Sequence, residues 1–384
     1  MNKTGEFLMS TDWSRIADKI IRKEEKVAAR SRGKIPYTAA GHVFDDKSDK
    51  KDICWWTNGF YGGMMWQLYH ATGNELFREC AEKLEVKMDA AFMDYNGMDH
   101  DAGFRWLPTA VANYRLSGSK ESKNRGLLAA ASLAGRFNLK GNFIRAWNDW
   151  GDDRDTTGWA IIDCMMNLPL LYWASDVLKD PRFKDIAVAH ADTAMEWFIR
   201  EDGSVRHIVG FDPVTGEFDR EYGGQGYGEG SSWTRGQTWA LYGFTLSFIH
   251  TGDEHYLETA MQVADRFCSR IPEDGLIPVD FDQPAEPHYI DSTAAAIASC
   301  GLLTLEKELK EKDPSKAAAY RAAAEKMLSA LDEKDCDYDP EHDELLTRCS
   351  ASYHDKDHEF PIIYGDYYYI EAIWKLTDKE LFIW

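Results

Sequence analysis

The sequence predicts an all-α protein, an (α/α)6 toroid built from six helical hairpins. Apolar residues recur at three- and four-residue spacing along most of the chain, and segments with strand alternation are scarce. A helix–turn–helix pattern also repeats about once per sixty residues, whereas an open superhelix of the tetratricopeptide kind has a period near 34 residues. No linker or low-complexity tract divides the chain. We therefore expect residues 1–384 to form a single (α/α)6 catalytic domain.

Twelve segments carry the helical pattern. They are Trp13–Ala29, Gly59–Thr72, Glu75–Ala91, Ala102–Leu116, Ser122–Phe137, Trp159–Leu178, Phe183–Ile199, Thr234–His250, Glu254–Ile271, Ser292–Lys310, Pro314–Leu331 and Tyr367–Leu376. The best strand candidate is Ser204–Val209, which we expect to be a hairpin or an extended loop.

An internal repeat supports the hairpins. Leu68–Phe77 resembles Ser247–Tyr256, and Asn113–Lys120 and Leu171–Asp176 look like degenerate copies. In each copy one helix ends at a glycine or polar cap, and a second helix begins after a tight turn. Stacked hairpins bury their faces against their neighbours, and six of them can close into a ring.

Bulk composition excludes several classes of protein. The net charge of −21 argues against a nucleic-acid partner, which needs a basic face, and an anionic substrate would need a local cationic pocket. No run of about 18 apolar residues predicts a membrane-spanning helix. The first nine residues lack the pattern of a secretory signal, so we expect a cytoplasmic protein, or a periplasmic one if a leader was removed. The seven cysteines are scattered without a C-x-x-C pair, which predicts neither disulfides nor a zinc ribbon.

Tryptophan is abundant, with 14 in the chain. Aromatic faces stack on the C–H faces of sugar rings, although tryptophan also fills the core of large helical proteins. The long connections Glu221–Ser232 and Trp147–Thr157 are suited to a rim that builds a binding site.

Two acidic segments carry candidate chemistry. Asp99-His100-Asp101 opens a predicted helix, where Asp101 could cap free N–H groups, yet the run is denser in titratable groups than a cap needs. Asp163 lies within an otherwise apolar run that we expect to be helical. Burial, and a second carboxylate nearby, would raise its pKa and make it a general acid near neutral pH. The alternative is a hydrogen-bonded structural aspartate.

A glycine-rich loop, Gly223–Gly230, precedes the helix that contains Arg235 and Trp239. It is not a phosphate loop, because no G-K-[ST] follows. Arg235 and Trp239 are four residues apart and share a helix face, which suits a sugar carboxylate bound beside a stacking ring. The alternative for Arg235 is a structural ion pair.

Six motifs in order resemble glycoside hydrolase family 88, the unsaturated glucuronyl hydrolases, over residues 50 to 376. The motifs are Trp55-Trp56-Thr57-Asn58-Gly59-Phe60, His100-Asp101-Ala102-Gly103-Phe104, Ile162-Asp163-Cys164-Met165-Met166-Asn167-Leu168, Gln225-Gly226-Tyr227, Ser232-Trp233-Thr234-Arg235-Gly236-Gln237 and Gly365-Asp366-Tyr367-Tyr368-Tyr369. The resemblance implies an (α/α)6 barrel.

The resemblance also implies site residues. The family's catalytic acid falls on Asp163 and its second essential aspartate on Asp101. Substrate contacts fall on Trp56, His100, Trp147, His207, Gln225, Arg235 and Trp239. The neighbouring Trp55 and Trp150 are alternatives to Trp56 and Trp147 in this match.

The implied reaction removes a 4,5-unsaturated glucuronic acid from the non-reducing end of lyase-generated glycosaminoglycan oligosaccharides, with chondroitin, hyaluronan or heparin type disaccharides as partners. Asp163 would protonate C4 and then assist the water that adds at C5. Asp101 would hold that proton on Asp163 through like-charge coupling. No metal or cofactor is implied, because a Brønsted acid suffices.

The loop at residues 350–358 leaves the sulfation preference open. Ser352 and Lys356 could serve a sulfate, but Asp355 and Asp357 place negative charge beside it. Alternative hypotheses are an unsaturated rhamnogalacturonyl hydrolase on pectin fragments, an epimerase with a histidine pair on the same toroid, and a non-enzymatic helical-repeat scaffold. A scaffold needs neither an apolar Asp163 nor the glycine-rich loop.

Overall fold

A computed structural model describes residues 11–149 and 154–384, and its regular structure is mostly helical. The α-helices are α1 Trp13–Arg30, α2 Phe60–Thr72, α3 Glu75–Lys87, α4 Ala102–Trp106, α5 Ala112–Ser117, α6 Lys120–Ala134, α7 Pro169–Leu178, α8 Arg182–Phe198, α9 Thr234–Thr251, α10 Glu254–Ser269, α11 Ser292–Leu309, α12 Pro314–Lys334 and α13 Ile363–Leu376. The all-α prediction is confirmed.

Six helical segments form a closed inner ring. Around the ring, α2 contacts the 102–117 segment, which contacts α7, and the contacts continue through α9 and α11 to α13, which returns to α2. Each inner segment also packs on an outer helix: α3, α6, α8, α10 and α12 follow their inner partners in sequence, whereas α1 packs on α13. Six inner–outer pairs are therefore present: five are hairpins of consecutive helices, and the sixth pairs α13 with α1 from the other end of the described chain.

Burial explains which helices lie inside. In α9 every residue from Thr234 to Phe248 is buried, and in α13 every residue from Ile363 to Lys375 is buried. The outer α1 instead buries one stripe, at Ile16, Ile20 and Val27 among others, as an amphipathic surface helix does. The inner ring and the inner faces of the outer helices make one hydrophobic core that extends from Ile16 to Trp384.

The repeated hairpin turns end in left-handed residues. Gly73, Gly118 and Gly252 stop α2, α5 and α9 with φ of 67°, 73° and 75°. Glycine adopts this conformation without a steric penalty, which is why the repeat contains it. The helix that contains the degenerate copy Leu171–Asp176, α7, is followed instead by Lys179, a non-glycine residue with φ of 57°.

The segment predicted as one helix over Trp159–Leu178 is three elements. Trp159–Ile161 is a strand, Ile162–Met166 is a 3₁₀ turn, and the α-helix begins only at Pro169. Aromatic and β-branched residues favour the strand, and proline favours the first helical position, so the boundary has a local cause. Asp163 consequently lies in a turn and not on a regular helix, as a correction to the sequence prediction.

The segment predicted as one helix over Ala102–Leu116 is also interrupted. A π-helical turn at Leu107–Val111 separates α4 from α5. Pro108 lacks an N–H group and crowds the preceding turn, which accounts for the irregular backbone.

Short antiparallel strands connect the helices at the rim. They are β1 Ala39–Ala40, β2 Val43–Phe44, β3 Phe137–Asn138, β4 Phe143–Ile144, β5 Trp159–Ile161, β6 Ile208–Phe211 and β7 Phe218–Tyr222. β6 pairs with both β5 and β7, with Ile208 opposite Ile161 and Tyr222. The strand predicted at Ser204–Val209 thus begins four residues later, and Val205 makes only an isolated bridge to Ile199. Within the described ranges, no helix is both long enough and apolar enough to cross a bilayer.

Candidate active site

A cleft of about 560 Å³ opens among the loops that lead into the inner helices. Its wall is formed by Lys51, Asp52, Cys54, Trp55, Trp56, Asp94, Asn96, Gly97, Asp99, His100, Asp101, Trp147, Asn148, Asp149, Asp163, Gln225 and Arg235. These residues precede α2, α4, α7 and α9 or begin them. The N-terminal ends of inner helices therefore surround the cleft, and their partial positive charge favours an anionic ligand.

Asp163 is held in the cleft wall by the 3₁₀ turn after β5. Its side chain is 16% exposed. Within the part of the chain that the structure describes, its buried Oδ1 has no hydrogen-bond partner, and His207 Nε2 lies 3.9 Å away. Burial raises the pKa of Asp163 to about 7, and the charge of Arg235 opposes that rise. A carboxyl group with this pKa is protonated in a large fraction of molecules at neutral pH.

Asp101 lies beside Asp163, at the N-cap position of α4. Its side chain does not cap the helix, so the capping alternative is not realised. Burial, followed by the charges of Asp99 and Asp163, raises its pKa well above the ordinary value. Burial is thus the largest cause for both carboxyl groups, and the charge of Asp163 adds to it at Asp101.

Asn167 links the two aspartate segments, and sequence analysis did not identify it as a site residue. Its Nδ2 donates to Oδ1 of Asp101 at 3.3 Å and to the backbone oxygen of Asp163 at 3.2 Å. Its Oδ1 accepts from the backbone N–H of Phe104 at 2.8 Å. Its place four residues after Asp163 was visible in the sequence, but its contact with Asp101 was not, because the two are 66 residues apart.

Asp99 is the structural member of the Asp-His-Asp run. Its Oδ1 accepts from the backbone N–H of Asp101 at 3.0 Å and from Arg105 Nη2 at 2.7 Å. Arg105 is fully buried and also donates to the carbonyl of Cys54. The pair fixes the backbone from which Asp101 projects.

Two buried histidines accompany the carboxyl groups. His100 Nε2 is 3.5 Å from Oδ1 of Asp101, and burial lowers its pKa to about 3. Burial, with the charge of Arg235, also lowers the pKa of His207 to about 3. The backbone N–H of Gln225 donates to His207 Nδ1 at 2.9 Å, which leaves Nε2 directed at Asp163. Both rings are therefore neutral at physiological pH, and His207 accepts a hydrogen bond through Nδ1.

The glycine-rich loop closes over His207. Gly224 has φ of 56°, and a Cβ there would lie 2.0 Å from His207 Nδ1, so only glycine fits. The side chain of Gln225 donates to the carbonyl of Ala351 at 2.7 Å, and its backbone oxygen accepts from Tyr353 at 2.9 Å. The loop therefore joins the 350–353 segment to the cleft wall.

Arg235 reaches the cleft but is already engaged in an ion pair. Its Nη1 donates to Asp291 at 2.7 Å and to the carbonyl of Ser350 at 2.7 Å, and its Nη2 donates to the carbonyl of Ala351. Both partners of the Arg235–Asp291 pair are buried. The structural ion pair considered from the sequence is thus present, and the guanidinium orients the 350–351 backbone while it contributes positive charge to the wall.

Tryptophans form the aromatic part of the wall. Trp56 is half-buried and packs on Tyr364 with ring centroids 4.8 Å apart, and Trp147 lies 6.0 Å from Trp159. The neighbouring Trp55, 36% exposed, also lines the cleft. Trp150 lies outside the described residues.

Three residues predicted to contact substrate lie off the wall. Trp239 is fully buried beneath it, packed on Phe104 and Tyr368 at 5.1 and 5.7 Å. His207 lies behind Asp163 and the glycine-rich loop. Ser352 is partly exposed between Ala351 and Tyr353, outside the residues that line the cleft. The helical spacing that paired Arg235 with Trp239 does not reveal that α9 is buried on all sides.

Acidic side chains at the cleft rim are a feature that sequence analysis missed. Asp52, Asp94 and Asp149 line the cleft, and Lys51 and Arg235 are the cationic residues in its lining. Their spacing in the chain gave no signal, because three separate loops bring them together.

Comparisons with known proteins find relatives over most of the chain. A profile of Glycosyl Hydrolase Family 88 matches residues 25–381. An unsaturated glucuronyl hydrolase of Bacillus sp. (strain GL1) is 36% identical over 351 residues, which are 89% of this chain and 91% of the relative.

Two solved structures of such enzymes share the fold. A variant with dGlcA-Glc-Rha-Glc has a TM-score of 0.88 and 33% identity, covering 95% of this chain and 96% of the other. A variant from Streptococcus agalactiae complexed with dGlcA-GalNAc6S has a TM-score of 0.82 and 27% identity, covering 98% and 96%.

Proposed function

The chain belongs to glycoside hydrolase family 88 and is a glycosidase, and from that premise we propose that it hydrates the 4,5-unsaturated glucuronic acid at the non-reducing end of a glycosaminoglycan-derived oligosaccharide. One relative is an unsaturated glucuronyl hydrolase, and a related enzyme of known structure is complexed with dGlcA-GalNAc6S. Both support this substrate class. The scaffold and epimerase alternatives are not supported by the family match.

The observation that carries the proposal is the state of the Asp163 carboxyl group. It is largely buried, its Oδ1 lacks a hydrogen-bond partner among the described residues, and its pKa is raised to about 7. A structural aspartate would have its buried oxygens satisfied. A carboxyl group left without a partner in a cleft is free to give its proton to a ligand.

The proposed chemistry begins at the substrate's double bond. The C4=C5 bond and the ring oxygen form a vinyl ether, whose C4 accepts a proton from Asp163. Positive charge then develops at C5 and the ring oxygen. The ionised Asp163 takes a proton from the water that adds to C5, so the carboxyl group ends the step as it began.

The resulting hemiketal opens by breaking the bond between C5 and the ring oxygen. The oxygen released at C1 becomes part of a hemiacetal, which expels the remaining glycan as an alcohol. No group attacks C1 directly, so carboxylate separation does not predict a stereochemical outcome here. Hydration of the double bond is therefore the step that the protein must catalyse.

The cleft supplies groups for the substrate's carboxylate and hydroxyls. The N-terminal end of α9 and the charge of Arg235 favour the carboxylate. Neutral His100 and the Gln225 segment offer hydrogen bonds to hydroxyls, and the faces of Trp56 and Trp147 offer stacking surfaces. Asp101, held by Asn167, lies where it can position a hydroxyl near Asp163.

Loss of the ultraviolet absorbance of the C4=C5 chromophore tests the proposal. An unsaturated chondroitin or hyaluronan disaccharide should lose this absorbance and release one unsaturated-uronate-derived keto acid per molecule. The matched saturated disaccharide should be left intact. Cleavage of the saturated disaccharide, or no absorbance loss on any unsaturated glucuronyl disaccharide, would contradict the assignment. If only unsaturated rhamnogalacturonan disaccharides were turned over, the substrate would instead be a pectin fragment.

A further inference from the structure

A cluster of four possible metal ligands lies outside the cleft. It consists of His42, Asp337, His342 and Glu344, and one ligand atom from each lies within 4.8 Å of all the others. None of the four lines the cleft. His42 comes from the β1–β2 turn, and the other three come from the loop between α12 and α13.

The cluster is already drawn together by short contacts. His42 Nδ1 lies 2.6 Å from Glu344 Oε1, and His342 Nδ1 lies 2.6 Å from Asp337 Oδ2. The two imidazole rings are stacked, with centroids 3.6 Å apart and planes 9° from parallel. The stacking places the two nitrogen–carboxylate pairs side by side, so that all four possible ligand atoms face one small volume.

Glu344 provides independent evidence for a ligand. Its side chain is 4% exposed, and its buried Oε2 has no hydrogen-bond partner within the ranges that the structure describes. An ionised carboxylate with an unsatisfied buried oxygen is costly unless a cation completes it.

The backbone presents the ligands from a firm support. The N–H of Asp343 donates to the carbonyl of His42 at 3.0 Å, and the N–H of Phe44 donates to Oδ2 of Asp343 at 2.8 Å. The backbone oxygen of Glu344 accepts from the buried Lys23 Nζ at 2.5 Å. His42 itself has φ of 65°, a left-handed conformation that turns its ring toward the 337–344 loop.

We propose that His42, Asp337, His342 and Glu344 bind one zinc-like divalent transition-metal ion, which fastens the β1–β2 turn to the loop between α12 and α13. Two imidazoles and two carboxylates are a donor set that suits Zn²⁺ and not the oxygen-preferring Mg²⁺ or Ca²⁺. Ligand atoms about 2.0–2.2 Å from zinc in a tetrahedron lie roughly 3.3 Å from one another. The present separations, from 2.6 Å within each nitrogen–carboxylate pair to 4.8 Å across the cluster, bracket that value, and the two carboxylates would neutralise the ion.

The site joins an early segment of the chain to a late one. His42 and Glu344 are 302 residues apart in the sequence, so they meet only in the folded chain. An ion bound to both would therefore stabilise the folded state. Its role is therefore structural, and it is separate from the proton chemistry of the cleft.

Zinc titration of the chelator-treated full-length protein tests the proposal. One equivalent of Zn²⁺ should bind, Tm should rise by at least ~3 °C at a hundredfold excess over Kd, and Co²⁺ should give the absorption of a tetrahedral complex. His42→Ala and His342→Ala should each weaken zinc binding by about tenfold or more.

His255→Ala is the matched control, because His255 makes a similar contact from Nδ1 to Asp253 at 3.0 Å but belongs to no such cluster among the residues that the structure describes. It should leave zinc binding unchanged. Absence of saturable binding, or equal binding by the wild type and the double variant lacking both cluster histidines, would overturn the proposal. Circular dichroism of the metal-free variants checks that each is folded. The single variant His42→Gln is a milder test and should also weaken zinc binding.

Discussion

The side-chain nitrogen of Asn167 lies 3.3 Å from Oδ1 of Asp101. The same nitrogen also lies 3.2 Å from the backbone oxygen of Asp163, so one amide links the carboxyl group of Asp101 to the backbone of Asp163. In the proposed reaction Asn167 is a positioning residue, because it touches both aspartate segments and donates no proton to substrate.

Asn167→Ala should lower kcat by about tenfold or more while KM changes less. The variant should also lose about 1–3 kcal/mol of unfolding free energy, because the buried N–H of Phe104 loses its acceptor. Steady-state kinetics and urea unfolding measure the two effects. Asn113→Ala is a suitable control, since Asn113 is a buried asparagine whose amide bonds to Glu85 away from the cleft. If both variants lose stability and retain equal kcat, Asn167 has no positioning role.

Arg235→Ala should destabilise the fold as well as raise KM. It leaves the carboxylate of Asp291 buried and unpaired, which typically costs about 3–5 kcal/mol. A double-mutant cycle with Asp291→Ala, followed by urea unfolding, isolates the coupling between the two residues. A stability close to that of the wild type for Arg235→Ala would show that the pair is not formed in solution.

Asp163→Asn should stabilise the protein at alkaline pH. The pKa of Asp163 is raised on folding, so the folded state binds its proton more tightly than the unfolded state does. The cost of ionising it is absent below the unfolded pKa of about 3.9, grows as pH rises, and is complete above about 7. The difference in Tm between variant and wild type should therefore increase from pH 4 to about pH 8 and then level. A difference that is constant across this window would contradict the raised pKa.

The acidic rim should disfavour sulfated substrates. Asp52, Asp94 and Asp149 line the cleft together with Lys51. At low ionic strength, KM for a sulfated unsaturated disaccharide should exceed that for its unsulfated counterpart, and added salt should narrow the ratio because it screens exposed charges. Asp52→Asn should narrow it as well, whereas Asp180→Asn, a remote acidic variant, should not. A lower KM for the sulfated disaccharide at low salt would oppose this prediction.

Local sequence patterns were sufficient to predict the ring of helices, whereas the arrangement of the candidate site depends on tertiary contacts. Helical spacing and the glycine stops at Gly73, Gly118 and Gly252 were enough for six helix pairs. The same spacing wrongly predicted a helix from Trp159 through Asp163. Strand β5 forms there instead, because it pairs with β6, which lies far away in the sequence. Pairwise spacing also grouped Trp239 with Arg235, although α9 is buried on every face.

Side chains that meet across the fold gave no sequence signal. The contact between Asn167 and Asp101 and the cluster around His42 and Glu344 join segments separated by 66 and 302 residues. Their chemistry depends on burial and distance, which a residue pattern does not contain. Asp163, in contrast, was identifiable because an acidic residue in an apolar run already indicates a raised pKa.

The most direct test of the central claim compares turnover by the wild type and Asp163→Asn, followed as loss of the C4=C5 absorbance at saturating unsaturated disaccharide. Asp366→Asn is the control, because Asp366 is another buried aspartate with a pKa raised to about 7, but it accepts from Leu345 and Leu346 outside the cleft. The account predicts that Asp163→Asn, correctly folded and still able to bind substrate, loses at least about a hundredfold in kcat, whereas folded Asp366→Asn retains turnover. Retention of more than about a tenth of the wild-type kcat by Asp163→Asn would show that this carboxyl group does not deliver the proton.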